Sequence, residues 1–183
     1  MAISWRIHAV IPRSYANGPG ARFVIWTQGC TLACPGCFNP QTHAEDHGGT
    51  HTAEELADAA VNTDDIEGVT LTGGEPLEQP DAVSEFCQRI KTTSSLGIVI
   101  LTGFTRREIT RDPARARAVQ HADMVIAGRY NASRRLGSGL RGSDNKEYWA
   151  RTARYQPRDF ATIPDVELII ASDGTLTVTG MPG

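Results

Sequence analysis

Four cysteines are all that this chain of 183 residues carries, far below the density at which small secreted scaffolds staple themselves with disulfides. It has no apolar run near the ~20 residues that cross a bilayer, no internal repeat, no low-complexity tract and no long linker rich in Pro, Gly or Ser. Those absences exclude a disulfide framework, a helical membrane anchor and a string of separate modules. One domain over residues 1–183 is the expectation. Met1 to Pro12 contains Arg6 and His8 and lacks the long apolar core and small cleavage-site residues of a secretory leader. A cytoplasmic protein is therefore expected, with reduced thiols, so that a cysteine cluster is read first as a metal or redox site.

What is present is ordinary for a globular chain: 40% hydrophobic, 21% charged and a net charge of −3. The net charge hides an asymmetry. Residues 1–102 hold 5 basic and 12 acidic side chains, residues 103–160 hold 13 and 6, and residues 161–183 hold 0 and 3. A basic second half suits nucleic acid, a phosphorylated substrate or an acidic protein face. The arginines scatter over helices and loops, which favours plain helix surface instead, and neither direct nucleic-acid binding nor membrane association is expected.

Apolar residues alternate from Ile3 through Trp5, Ile7 and Ala9 to Ile11, the pattern of a half-buried strand, and Arg22 to Trp26 is a short strand running into the cysteines. Thr52-x-x-Glu55 is a capping box for a helix to about Val61. A buried strand, Val69 to Leu71, ends at Gly73-Gly74. From Asp81 a helix carries Val83, Phe86, Cys87 and Ile90 on one face, followed by the strand Ile98 to Leu101 and a second capping box at Thr105-x-x-Glu108. A helix after Pro113 and the strand Met124 to Ala127 complete the alternation. Strands alternating with helices predict an α/β fold with parallel strands joined by crossovers. After residue 128 comes a long stretch with little periodicity, and Val166 to Ile170 and Leu176 to Thr179 flank Asp173-Gly174 as a C-terminal β-hairpin. About four or five parallel strands fall short of the eight in a closed barrel of roughly 250 residues. A barrel here would be a partial one.

Cys30-x3-Cys34-x2-Cys37 is the strongest chemical signal. Gly29, Pro35 and Gly36 favour a tight loop that turns three sulfurs toward one centre. A structural zinc site would want a fourth ligand with its own paired spacing. Cys87 lies on an apolar helix face, the place of a small core residue. His43, His47 and His51 recur at every fourth position, but Gly48-Gly49 interrupts any helix that would align them, so they read as loop histidines. Three cysteines without a fourth fit a 4Fe-4S cluster with one iron left open, although most such clusters have four thiolates.

These residues resemble the radical S-adenosylmethionine enzymes, whose shared motif is C-x3-C-x2-C followed by an aromatic residue, here Phe38. The resemblance narrows to the activases of glycyl radical enzymes, and most to those serving anaerobic ribonucleoside-triphosphate reductase. Asn17-Gly-Pro-Gly-Ala-Arg22, Gly29-Cys30 and Cys34-Pro-Gly-Cys-Phe-Asn39 match the activase signature. Leu71-Thr-Gly-Gly-Glu-Pro-Leu77, Leu101-Thr-Gly-Phe104, Asp123 to Tyr130 and Leu140-Arg-Gly-Ser-Asp-Asn145 are similar to its later blocks, in order. Three positions depart from the pattern: Trp26 where Phe is usual, Ala127 in place of an Asp, and Lys146 in place of Gln.

The resemblance implies a 4Fe-4S cluster on Cys30, Cys34 and Cys37, with S-adenosylmethionine held through its amino and carboxylate groups by the fourth iron. It further implies cofactor contacts from Gly36, Phe38, Asn39, Gly73, Gly74, Glu75, Thr102 and Arg129. The reaction implied is reductive cleavage to a 5′-deoxyadenosyl radical, with reduced flavodoxin or ferredoxin as electron donor and a backbone glycine of a large partner enzyme as target. A second reading keeps the radical chemistry but aims it at a small molecule or peptide, on the strength of Ala127, Lys146 and the basic stretch 129–158. A third is a ferredoxin-type electron-transfer module, which predicts a fourth cysteine ligand and no role for Gly73-Gly74-Glu75.

Overall fold

The computed structural model describes residues 2–181. In chain order its strands are β1 (Ser4–Ser14), β2 (Arg22–Thr27), β3 (Gly49–Thr52), β4 (Gly68–Gly73), β5 (Gly97–Thr102), β6 (Met124–Ala127), β7 (Glu147–Ala150), β8 (Val166–Ile170) and β9 (Leu176–Gly180). Its helices are α1 (Ala53–Val61), α2 (Pro80–Thr93), α3 (Arg106–Arg111) and α4 (Pro113–Ala118). The first seven strands form one sheet in the order β3-β1-β2-β4-β5-β6-β7. Its centre, β2-β4-β5-β6, is parallel, and antiparallel strands flank it on both sides. The alternation of strands and helices in the sequence thus yields a mainly parallel α/β sheet at the centre. Among the described residues no helix is long and apolar enough to cross a membrane.

All six residues of β5 are buried, because both faces of this strand are covered. Ile98 and Ile100 join the core built with the helices, from Leu56 and Ala60 of α1, Val83, Phe86 and Ile90 of α2, and Ile109 of α3. Val99 and Leu101 point the other way, into a smaller core with Met124, Ile126, Leu140, Tyr155 and Phe160. A strand covered twice reads as a continuous apolar run. Fully burying one such Ile or Phe side chain contributes about 1.5–3 kcal/mol. Trp5 of β1 packs against Phe86 with ring centroids 5.4 Å apart. Cys87 is fully buried in the same core, where burial pushes its thiol up to about 12.

Helix starts follow their sequence signals. Thr52 and Glu55 exchange both bonds of a capping box at α1, and Thr105 and Glu108 do so at α3. Asp112 accepts from the amides of Ala114 and Arg115 at α4, whose first residue is Pro113.

The alternation expected through Ala9 does not survive. A register shift in the β1–β2 pairing falls between Ile7 and Ala9, and Ala9 emerges exposed while Ile11 returns to the interior. Such a bulge changes which face each following residue takes.

Two devices tie distant segments together. Arg22, fully buried, donates to the carbonyls of Val69 and Gly97, to Thr70 Oγ1 at 3.2 Å and to Tyr155 Oη at 2.7 Å, fastening the starts of β2, β4 and β5. The hairpin β8–β9 is held by Ser14 Oγ donating to Glu167 at 2.6 Å and by Asn17 Nδ2 donating to Thr179 Oγ1 at 2.8 Å.

Candidate active site

β2 ends at Thr27, and the chain enters a loop that closes on itself: the amide of Gly29 donates to Thr42 O at 2.8 Å and that of Cys30 to His43 O at 3.1 Å. Gln28, fully buried beneath the loop, donates its side-chain amide to Ala44 O at 2.6 Å. Within the loop Cys37 N donates to Cys34 O at 3.1 Å, and Asn39 N to Cys37 Sγ at 3.4 Å. The loop's cysteines are reduced and half-buried. Burial, with Glu75 and Glu78 adding to it, pushes the Cys30 thiol up to about 11.

The loop packs on the end of β4 without room for side chains there. Gly73 takes a φ of +97°, and a Cβ on it would lie 2.6 Å from Thr27 N; one on Gly74 would lie 2.4 Å from Gly29 O. Gly74 N donates to Thr27 O at 2.8 Å and Glu75 N to Gly29 O at 2.9 Å. The two glycines therefore bring the cysteine loop against the strand end, a close approach of protein to protein.

Glu75 is 1% exposed. Its carboxylate accepts from Leu77 N at 2.9 Å, Thr102 Oγ1 at 2.7 Å and Gly103 N at 2.7 Å, so it ties the end of β4 to the end of β5. Burial pushes its carboxyl above the usual range, against these donors and Lys146.

One open cleft collects Cys30, Cys34, Cys37, Phe38, Asn39, Gly73, Gly74, Glu75 and Thr102 at the carboxyl ends of the parallel strands, where open α/β sheets place ligands. Two of the residues singled out in the sequence do not line it. Gly36 packs toward Ala132, whose Cβ would be 3.2 Å from a Cβ at position 36. Arg129 is held by Glu108 at 2.9 and 3.0 Å and by Gly103 O. Conversely, His43, Tyr130, Arg141, Lys146 and Met181 do line the cleft. His43, a loop histidine by its following glycines, has its Nε2 buried with no hydrogen-bond partner among the described residues. The Phe38 and Tyr130 rings are 4.7 Å apart, an aromatic wall assembled from two distant segments.

Among the described residues no three thiol, imidazole or carboxylate groups converge on the position of a single metal ion. A cluster makes a different demand, because each thiolate takes its own iron and the sulfurs need only surround a shared cleft. Three half-buried thiols along one open cleft fit that demand. The fourth cysteine, Cys87, lies in the helix-side core and not in the cleft, which removes the fourth ligand that a ferredoxin-type module or a zinc site was expected to show.

Comparison with known proteins gives the same direction. The family model of the 4Fe-4S single cluster domain matches residues 16–149. The anaerobic ribonucleoside-triphosphate reductase-activating protein of Enterobacteria phage T4 is 29% identical over 148 residues, covering 78% of this chain and 92% of that protein. The protein of the same description from Vibrio cholerae is 30% identical, over 76% of this chain and 94% of its own length. The pyruvate formate-lyase-activating enzyme of Listeria monocytogenes is 38% identical over 86 residues, 44% of this chain and 35% of that enzyme.

Proposed function

The chain belongs to the 4Fe-4S single cluster domain family and, within it, to the radical S-adenosylmethionine activases of glycyl radical enzymes, and from that premise we propose that it installs a glycyl radical on a partner of the anaerobic ribonucleotide reductase kind. The cofactors are a 4Fe-4S cluster and S-adenosylmethionine. When bound and reduced by one electron, they supply a 5′-deoxyadenosyl radical.

The observation that carries the proposal is the single cleft in which three cysteines without a fourth face the glycine-lined end of β4. Cys30, Cys34 and Cys37 hold three irons. Backbone groups of Gly73 to Glu75 would hold the amino group of the methionine end; the Glu75 carboxylate keeps them in place through Leu77, Thr102 and Gly103. Phe38 and Tyr130, whose rings are in contact, would flank the adenine, and Asn39 holds the loop at Cys37. Arg129 acts at one remove, through Glu108 and Gly103 O. The four parallel strands support reading the sheet as a partial barrel, whose open cleft would admit a loop of a protein target. A reduced flavodoxin or ferredoxin in the cytoplasm supplies the electron.

Protein reconstituted with iron and sulfide under anaerobic conditions and reduced with dithionite is expected to form 5′-deoxyadenosine from S-adenosylmethionine, and Cys34→Ala to form none. Mixed with a candidate reductase, the intact protein is expected to raise a glycyl radical signal by electron paramagnetic resonance. No 5′-deoxyadenosine from cluster-loaded protein sinks the radical chemistry; 5′-deoxyadenosine without a radical on any reductase moves the target to a small molecule or peptide.

A further inference from the structure

Lys146 is one of two lysines in the sequence and stands where the resemblance expects Gln. Its backbone is fixed in the turn before β7: its amide donates to Ser143 O at 3.3 Å, and its carbonyl accepts from Arg141 at 3.3 Å. Its stem passes Gly128 at the end of β6, where a Cβ would lie 3.7 Å from Lys146 Cγ. From there the half-buried side chain enters the cleft shared by Cys34, Cys37 and Glu75. Among the described residues no hydrogen bond or ion pair engages its ammonium. Glu75 is occupied by three donors of its own. Burial pushes the ammonium down, while Glu75, Cys34 and Cys37 favour its charge. The arrangement is a cation kept inside the site without a hydrogen bond or ion pair from any described residue.

A cluster held by three thiolates is anionic, and reduction adds one more negative charge. A nearby positive charge in a partly desolvated site stabilises the reduced form more than the oxidised one. We propose that Lys146 is the charge that eases one-electron reduction of the cluster, by offsetting the negative charge that arrives with the electron. The electron comes from an external one-electron reductant, which is oxidised; no bond forms or breaks in this step, and Lys146 keeps its proton.

The inference rests on the three-cysteine site proposed above, and the two fail differently. Wild type, Lys146→Gln, Lys146→Met and Lys146→Arg are reconstituted anaerobically, matched for iron and sulfide content, and titrated against dithionite with redox mediators, without S-adenosylmethionine. The reduced fraction is read from its electron paramagnetic resonance signal. In the Gln and Met variants the ratio of reduced to oxidised cluster at a fixed potential is expected to fall about tenfold, a shift of about 59 mV to more negative potential for one electron. The Arg variant is expected to stay near wild type. Gln and Met midpoints that coincide with wild type overturn the proposal, as does an Arg midpoint shifted as far as theirs. Loading of the Arg variant alone also overturns it, because Lys146 would then be needed for assembly. Failure of wild type itself to load a cluster removes the three-cysteine site, and this inference with it.

Discussion

Glu108 joins a helix cap to a strand end. Its carboxylate accepts from Thr105 N at 2.7 Å and Thr105 Oγ1 at 2.8 Å, and it pairs with Arg129. The Thr105 amide, then the Thr105 hydroxyl and Arg129, outweigh its modest desolvation and hold the carboxyl down at about 2. A carboxyl lowered in the folded state stabilises fully above its unfolded value near 4.5, and that contribution is lost as pH falls toward 2. In denaturant titrations wild type is expected to exceed Glu108→Gln in stability at about pH 6, with the gap closing by about pH 2. A gap that does not change with pH would show that the charge of Glu108 contributes nothing. Arg129 shows why such a residue misleads from sequence: its position matches a motif block, but a carboxylate from α3 reaches it across the fold and claims its guanidinium. Three other arginines of the basic stretch also have partners of their own. Arg134 pairs with Asp144 and Arg154 with Glu67, while Arg151 lies 4.4 Å from the centre of the Trp149 ring.

At the scale of elements, the junction of β4 with the cysteine loop depends on two residues without side chains. Gly74→Ala would set a methyl 2.4 Å from Gly29 O and 3.0 Å from Thr42 O, both backbone atoms. A loss of about 1–3 kcal/mol in unfolding free energy is expected, together with reduced iron uptake on reconstitution because the loop is displaced. Unchanged stability would mean that the loop moves freely over the strand end. This junction was legible because its residues are neighbours in sequence: three cysteines in one loop and Gly-Gly-Glu on one strand end. The capping boxes at Thr52 and Thr105 were legible for the same local reason. β3, with the sequence GTHT, and β7, with EYWA, were not. Each has four residues and no clean alternation, and each exists because a neighbouring strand offers its edge. The far wall of the cleft was illegible too, since Tyr130, Arg141, Lys146 and Met181 belong to segments without periodicity that only the fold brings to the cleft.

The whole molecule spreads its functions along the sheet, with the cleft at the carboxyl ends of the central strands and the buried Arg22 clamp at their starts. The hairpin adds a different surface. Leu168 is 64% and Ile170 75% exposed, with Leu176 and Val178 beside them on the same face. Replacing Leu168 and Ile170 together by Ser is expected to change unfolding free energy by no more than about 0.5 kcal/mol per site, since little is buried there. The same variant is expected to bind less of a hydrophobic fluorescent dye; a large stability loss would show that the face is covered in solution. The inner face of the hairpin carries Glu167 and Thr179 to the first strand's end, and the chain beyond β9 brings Met181 into the cleft. The cleft is therefore finished by a residue translated long after the cysteines. During synthesis the three thiols leave the ribosome well before this part of their enclosure exists, so the nascent chain passes through an interval in which the cell's metals and oxidants reach them more freely than they reach the folded protein.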